Sequence, residues 1–588
     1  MSTATAEDDR IVVPSRDRRI VVIAVAVTLL PLVVAAVRAL VAHRVATNAD
    51  DALIELRVRD VGTSHTPLIG SYQRFGFNQP GPLLLYLLAI PYRLFGSTFA
   101  GAQVGALLLN GLAVAGMAWT VLRRRGMLAA IACLAFVAVL MHAMGAERLS
   151  DPWEPNATIL LVALLLLLVW EVAGGAAWAL PVLTAVGSLL AQAQSSLALV
   201  VVVLLGFALL ALVVAARRAQ PPVSWRKPAI TAAIVLVVVW MPPLLHELGG
   251  EPSNVAKMWD FIRESNGRLG LRNAARSVGL QLGQRGSWWT GTTPLRPFDG
   301  TVDVGAGPAL PIGALVVGLA AAVAVRRRAW LEARLAVTVL VGCFAAVLSL
   351  SRITGPLFDW LLLWTWALAM VAWFAVALCV WAVLPSDWRA KVRTLALPVL
   401  LAVVVGLAGV ATQDAMTNEH PRDRVRDAVL RLAGPARDAA RGAGGPVLVD
   451  STVEVPAELF ADGEVGVEFL ALALERSGVH VLVHAPLANR FGNHRVDNGQ
   501  AVAELRLVSD DGASAPAGSS VLATVDPLGP DDRAELARIE VTLRARGILD
   551  AQLAALPPGL NADDIRMIGR RDGLRSYPKI SVVLIAPS

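Results

Sequence analysis

Long, nearly uncharged apolar runs recur through the first 412 residues of this 588-residue chain and then stop. A run of about 20 apolar residues is the length of helix that crosses bilayer hydrocarbon, where every backbone N–H and C=O must be satisfied within its own segment. Such runs dictate a bundle of membrane helices and exclude an ordinary water-soluble enzyme. Composition agrees, with 56% hydrophobic and 17% charged residues, against about 45 to 50% and about 25% in soluble globular chains. The last 176 residues have the mixed polar and apolar pattern of a water-soluble domain.

Basic residues orient the bundle. Residues 1–19 form a polar tail with Arg10, Arg16, Arg18 and Arg19 just ahead of the run from Ile20 to Ala42. At 23 residues this run exceeds the about 7 to 15 of a signal peptide, which predicts an uncleaved first span with a cytoplasmic N-terminus. Spans are expected at 20–42, 99–122, 127–143, 157–173, 176–192, 196–216, 228–248, 309–325, 335–351, 357–384 and 394–412, eleven in all within a membrane domain 20–412. The strong basic clusters then share one side: Arg123 to Arg125; Arg217, Arg218, Arg226 and Lys227; Arg326 to Arg328 with Arg334; Arg389, Lys391 and Arg393. That is the positive-inside distribution, so the net charge of +6 marks topology and no nucleic-acid partner is expected. An odd count places 413–588 outside the cytoplasm of a multi-pass protein of the plasma (inner) membrane.

The segment Pro82 to Phe95 is apolar but only 14 residues long and contains Pro91, which predicts an interfacial or re-entrant helix on the outer face. Two large outer loops follow from this scheme, 43–98 and 249–308. Cys133, Cys343 and Cys379 all lie inside apolar runs, so no disulfide framework or cysteine metal site is expected. In the tail, RDRVRDAVLRLAGPARDAARG reads as a helix, PVLVD as a strand, GVEFLALALERSG as a helix and VHVLVHAP as a strand. AVAELRLVS, SSVLATV and ISVVLIA add strands, and DDRAELARIEVTLRARG a helix, giving a small α/β domain. It has no P-loop, GxGxxG or GxSxG element.

Candidate chemistry concentrates in the outer loops. Asp50 and Asp51 stand about eight residues past the first span, where a carboxylate at the membrane rim is suited to general-base work. The same pair is also suited to capping the helix ALIELRVRDV. Behind it come Arg57, Arg59, His65, Tyr72, Arg74, Asn78 and Gln79, a set of cations and amides beside a lipid-facing helix that fits a lipid-linked phosphate. The second outer loop, HAMGAERLSDPWEPN, contributes Glu147, Asp151 and Glu154, carboxylates for an acceptor, a water or a divalent cation. Gln192 and Gln194 lie at a hairpin between spans and are expected to bond a neighbouring helix or a sugar hydroxyl. Arg352 opens the turn SRITGPLFD, where phosphate binding competes with snorkelling. Trp288 and Trp289 offer a saccharide-stacking platform or an interface belt.

Together the carboxylate pair after the first span, the long outer loop with its juxtamembrane helices, the acidic second loop and the outer C-terminal domain resemble the GT-C superfamily of integral membrane glycosyltransferases. The Asp-Asp pair followed by SYQRFG is similar to the cell-wall arabinosyltransferases. Gln79-Pro80-Gly81-Pro82-Leu83 is similar to the His-Pro-Pro-Leu element of protein mannosyltransferases, here without the histidine. The resemblance implies a polyprenyl-phosphate sugar donor and an inverting transfer to a glycan, lipid or protein acceptor of the cell envelope. Asp50 or Asp51 would be the base, and Arg74 with His65 or Arg352 would hold the phosphate. A lipid or polysaccharide flippase and a non-catalytic assembly scaffold are the rival readings, and the absence of an evident internal repeat weighs against the first.

Overall fold

A computed structural model describes the chain except for residues 1–12, 43, 219–224, 250–252, 265–266, 284, 297–299, 306–311, 418–423, 454–465, 510–513, 554–555 and 587–588. The chain forms two compact units, Met1–Val45 with Val58–Glu419, and Ala46–Arg57 with His420–Ser588.

The first unit is helical. Its helices are α1 (Ser15–Val41), α2 (Ala49–Asp60, shared with the second unit), α3 (Leu83–Leu94), α4 (Phe99–Ser150), α5 (Glu154–Ala157), α6 (Ile159–Ala173), α7 (Leu180–Ala193) and α8 (Ser195–Arg218). They continue with α9 (Arg226–Leu248), α10 (Asn254–Glu264), α11 (Gly270–Leu282), α12 (Ser287–Thr290), α13 (Ile312–Arg326), α14 (Trp330–Leu350), α15 (Leu363–Val383) and α16 (Ser386–Thr417). Among the described residues, eight helices are long and apolar enough to cross a membrane, and three shorter apolar helices, Leu83–Leu94, Ala177–Ala193 and Ile312–Arg326, accompany them. Helix overlaps each of the eleven expected spans, although residues 309–311 of one lie outside the described residues and 357–362 of another precede α15. Two of them, 99–122 and 127–143, lie in α4, which Gly126 breaks with a left-handed φ of 76°. The segment expected as interfacial is the helix α3.

Packing follows hydrophobicity. The sequence of α6, ILLVALLLLLVWEVA, is apolar all round, and every residue of it is buried against α4, α8, α14 and α15. By contrast α9 buries only Ala232 and Pro243, leaving leucines and valines facing outward as lipid-exposed helices do. A second group joins α1, α4 and α16.

The Arg123 to Arg125 cluster does more than mark a side of the membrane. The Arg124 guanidinium donates to Glu171 Oε2 from Nε at 2.8 Å and to the Glu171 carbonyl from Nη2 at 3.3 Å, with both side chains 2% exposed. Arg125 pairs with Glu332, and Arg123 lies over the rings of Trp119 and Trp178. One arginine thus ties the Gly126 break of α4 to the end of α6, and the next ties it to the start of α14.

In the second unit, α17 (Arg424–Ala443), α18 (Val467–Arg476), α19 (Ala488–Phe491), α20 (Pro530–Ala545) and α21 (Ala562–Arg575) accompany five strands. These are β1 (Val447–Ser451), β2 (Val481–Leu482), β3 (Ala503–Ser509), β4 (Ser520–Val525) and β5 (Ile580–Ile585). The sheet order is β2-β1-β3-β5-β4, with β1 parallel to β2 and β3, and β5 antiparallel to β3 and β4. Helix α17 covers β3, β4 and β5 with Val425, Ala428, Val429, Leu432, Ala436 and Ala440, spaced for one helical face. The boundary expected at 413 leaves out a piece of this unit, because residues 46–57 of the first loop belong to it as well.

Replacing Arg124 with Met strands a buried carboxylate on α6. We expect Arg124→Met to destabilise the chain by about 3 to 5 kcal/mol, and Arg124→Met/Glu171→Met to recover most of that loss, measured by thermal unfolding in detergent. A single variant that melts like wild type would remove the pair from the account of stability.

Candidate functional site

At the end of the first unit that carries its loops, a short hairpin rises from the polar stretch after α2. Tyr72 pairs with Asn78, Gln73 N donates to Phe77 O at 2.8 Å, and Gln79 N donates to Ser71 O at 2.7 Å, leaving Arg74, Phe75 and Gly76 at the tip. Asn78 and Asn254 brace its base reciprocally: Asn78 N donates to Asn254 Oδ1 at 2.8 Å, and Asn254 Nδ2 donates to Asn78 O at 3.0 Å. Both are buried. Gln79 accepts from Ser195 N through Oε1 at 2.8 Å, at the start of α8.

Gln192 and Gln194 have protein partners. Gln192 Oε1 accepts from Leu83 N at 3.3 Å and its Nε2 donates to Val239 O at 2.7 Å, joining α3, α7 and α9. Thr158 Oγ1 donates to Gln194 Oε1 at 3.4 Å. Gly81 is required for this arrangement, since a Cβ there would stand 2.2 Å from Gln192 Oε1. The Pro-Gly-Pro entry to α3 is thus a place where one side-chain amide lies against backbone.

The first loop, the second loop and the turn between α14 and α15 bring cations, carboxylates and aromatic rings together. The Arg74 guanidinium is exposed and lies over the rings of Phe75 at 4.9 Å and Phe358 at 5.5 Å. Phe358 stacks on Trp360 at 4.3 Å, and Trp360 meets Trp153 of the second loop at 6.1 Å. Arg148 reaches Asp359 at 3.9 Å and lies over Trp366 at 5.5 Å. Asp151 accepts from Trp153 N at 2.9 Å and from Asn156 Nδ2 at 2.6 Å, which turns the second loop into α5. Glu154 is buried in α5. Glu147 is exposed and acts on Arg44, whose guanidinium is held below its ordinary value by burial and by Arg38, with the Glu147 carboxylate pulling the other way. Arg352 and His65 are exposed. The segment 267–270 runs beside the Arg352 turn, with Leu269 N donating to Ile353 O at 2.9 Å and Gly270 N to Ser351 O at 3.1 Å.

Asp50 and Asp51 open α2 in residues that group with the second unit. Asn48 Oδ1 accepts from Asp51 N at 2.9 Å, and the Asp51 carboxylate turns back to accept from Thr47 N at 2.9 Å and Thr47 Oγ1 at 2.5 Å. Asp51 therefore does secure the helix start, as one of the two sequence readings held, and it is 2% exposed. Asp50 is half-buried.

The tryptophan pair departs from the expected platform. Trp288 is buried, stacked on Phe136 at 6.0 Å inside the bundle, while Trp289 is 49% exposed. Adjacent residues of the single turn α12 point in different directions, so Trp288 anchors the loop and only Trp289 offers a face. Among the described residues, no group of three or more His, Cys, Asp and Glu is placed to hold a metal ion. Sequence reasoning passed over Asn254, Phe358, Asp359, Trp360 and Trp153. The aromatic-acid run FDW was the signal for three of these; Asn254 had none, since its partner is 176 residues away.

No protein-family model matches the chain, and no curated protein is similar to it in sequence. Solved structures share its fold. ArnT from Cupriavidus metallidurans in the apo state superposes with a TM-score of 0.52 at 16% identity, over 87% of this chain and 97% of that one. The same protein bound to undecaprenyl phosphate gives 0.50 at 16% identity, over 86% and 96%. The likeness is thus one of fold: this chain shares the fold of ArnT over most of the length of both chains.

The tryptophans separate anchoring from contact. Trp288→Ala should destabilise the protein by about 3 to 5 kcal/mol, whereas Trp289→Ala should stay within about 0.5 kcal/mol. Thermal unfolding of the two variants checks this, and equal losses would contradict the assignment.

Proposed function

We propose that this chain is a membrane glycosyltransferase that moves a sugar from a polyprenyl-phosphate donor to a hydroxyl of a glycan, lipid or protein acceptor in the cell envelope. The observation that carries the reading is the Arg74 cluster, where a cation held between two aromatic rings stands among the loops of a fold shared with an undecaprenyl-phosphate-bound structure. A guanidinium on a ring face keeps its N–H fork directed at a phosphate while the rings lie along apolar lipid.

In the transfer, the acceptor oxygen attacks the anomeric carbon, the bond from that carbon to the phosphate oxygen breaks, and polyprenyl phosphate leaves. A single displacement inverts the anomeric centre. The leaving phosphate needs little protonation, so the demanding proton transfer is removal of the acceptor's own proton, assigned to Asp50 or Asp51. Arg74, with Arg352 or His65, stabilises the charge that builds on the departing phosphate. The side of the membrane expected for this chemistry is the outer face of the plasma membrane.

The test is sugar transfer in membranes containing the full chain, with a panel of labelled polyprenyl-phosphate donors and a parallel arm with EDTA. Transfer from one donor is expected, and Asp50→Asn/Asp51→Asn should lower it by about 10² to 10⁴, with one single variant accounting for most of the loss. Undiminished turnover in the double variant would reject the base assignment. No transfer from any donor by folded protein would reject the function and direct attention to lipid flipping.

Arg74→Ala should raise the donor KM at least about tenfold, and Arg74→Lys should recover little, because an ammonium lacks the planar fork and the ring stacking. A lysine variant with wild-type KM would reduce the role of Arg74 to simple charge.

A further inference from the structure

Residues 46–57 group with 420–588, and the ties between them centre on α18. Glu55, in the middle of α2, is 0% exposed and receives the Arg476 guanidinium side-on. Arg476 Nε donates to Oε1 at 2.9 Å, and Nη2 donates to Oε1 at 2.6 Å and to Oε2 at 2.5 Å. Arg476 is the last residue of α18, where its charge also answers the carbonyl end of that helix.

Helix α18 is itself pinned by two further pairs. Glu468, 1% exposed, accepts from Arg490 at 2.5 Å, and Glu475 accepts from Arg495 Nε at 2.5 Å and Nη2 at 3.0 Å. Burial raises the pKa of Glu468 against the pull of Arg490, and the nearby charge of Asp50 pushes the same way, which places Asp50 beside this network. A separate tie lies at Arg57, whose Nη1 would stand 2.6 Å from a Cβ on Gly492, a residue at φ +95°. Glycine alone meets both demands there.

Asp51 and Glu55 are four residues apart, so they lie on one face of α2 a single turn from each other. A buried carboxylate tolerates neither loss nor displacement of its counter-charge, and a forked guanidinium fixes direction as well as distance. Any slide or rotation of α2 that moves Asp51 must therefore break the Glu55 pair. We infer that the C-terminal domain holds the first-loop aspartates in place through the Glu55–Arg476 pair, making Arg476 a positioning residue for sugar transfer.

This rests on the glycosyltransferase function proposed above, yet its first readout needs no activity. In the full chain, Arg476→Gln should raise amide exchange across residues 46–57 by about tenfold or more, while α17 and β3 keep their protection. Its kcat should fall about 10²-fold with the donor KM unchanged, as expected when a catalytic group is misplaced rather than removed. Arg476→Lys should restore part of both, and Arg575→Gln on α21, which breaks a partly exposed pair with Glu540 of α20, should change neither. Should Arg476→Gln unfold the domain, Glu55→Gln/Arg476→Gln, which buries no uncompensated charge, carries the same prediction. Unchanged exchange at 46–57, or loosened α2 with turnover within about twofold of wild type, would overturn the inference. A wild-type chain that transfers no sugar would instead reject the function, while the exchange result still decides the clamp.

Discussion

Hydrocarbon offers no hydrogen bonds, and the rest of the first unit follows from that. Backbone polar groups are closed into helices, apolar side chains are free to face either neighbours or lipid, and charged groups are driven to the helix ends or into pairs. Helix α6 shows the limit, with fifteen residues all buried and its single charge, Glu171, met by Arg124 at 2.6 Å. The break at Gly126 is tolerated because Arg124 and Arg125 tie it to two other helices.

At the loop end the same constraint produces a different solution. Chain that is neither helix nor fully in water must still satisfy its backbone, and side-chain amides do this. Asn78 with Asn254, Gln79 with Ser195 and Gln192 with Leu83 and Val239 each join segments far apart in sequence. These amides form a rigid floor, and the exposed cation and rings around Arg74 and Phe358 stand above it.

The second unit obeys the rules of water-soluble α/β structure, with a mixed sheet and an amphipathic α17 across it. Its distinctive feature is the short first-loop segment it incorporates. Ion pairs suit that task better than apolar contact, because a buried bidentate pair specifies a register whereas greasy surfaces slide. Buried charges on α2 would be hard to explain in a free loop and are natural in a helix held by α18.

The sequence by itself determined the membrane class, the place of each apolar helix, the short α3, and most elements of the C-terminal domain, because periodicity and run length are local properties. It also located the polar loops and singled out Arg74, Asn78, Gln79 and Gln192, since polar residues near hydrocarbon need partners. Local pattern did not reveal α21, nor the shared membership of 46–57 and 420–588. It gave Trp288 and Trp289 the same standing, although packing buries one and exposes the other. Tertiary structure alone decided which partner each charge meets: Glu55 with Arg476 across 421 positions, Arg124 with Glu171 across 47, and Arg74 with the ring of Phe358. Composition fixes how many charges must be satisfied, but the partner of each depends on which helix ends the packing of the apolar faces brings side by side.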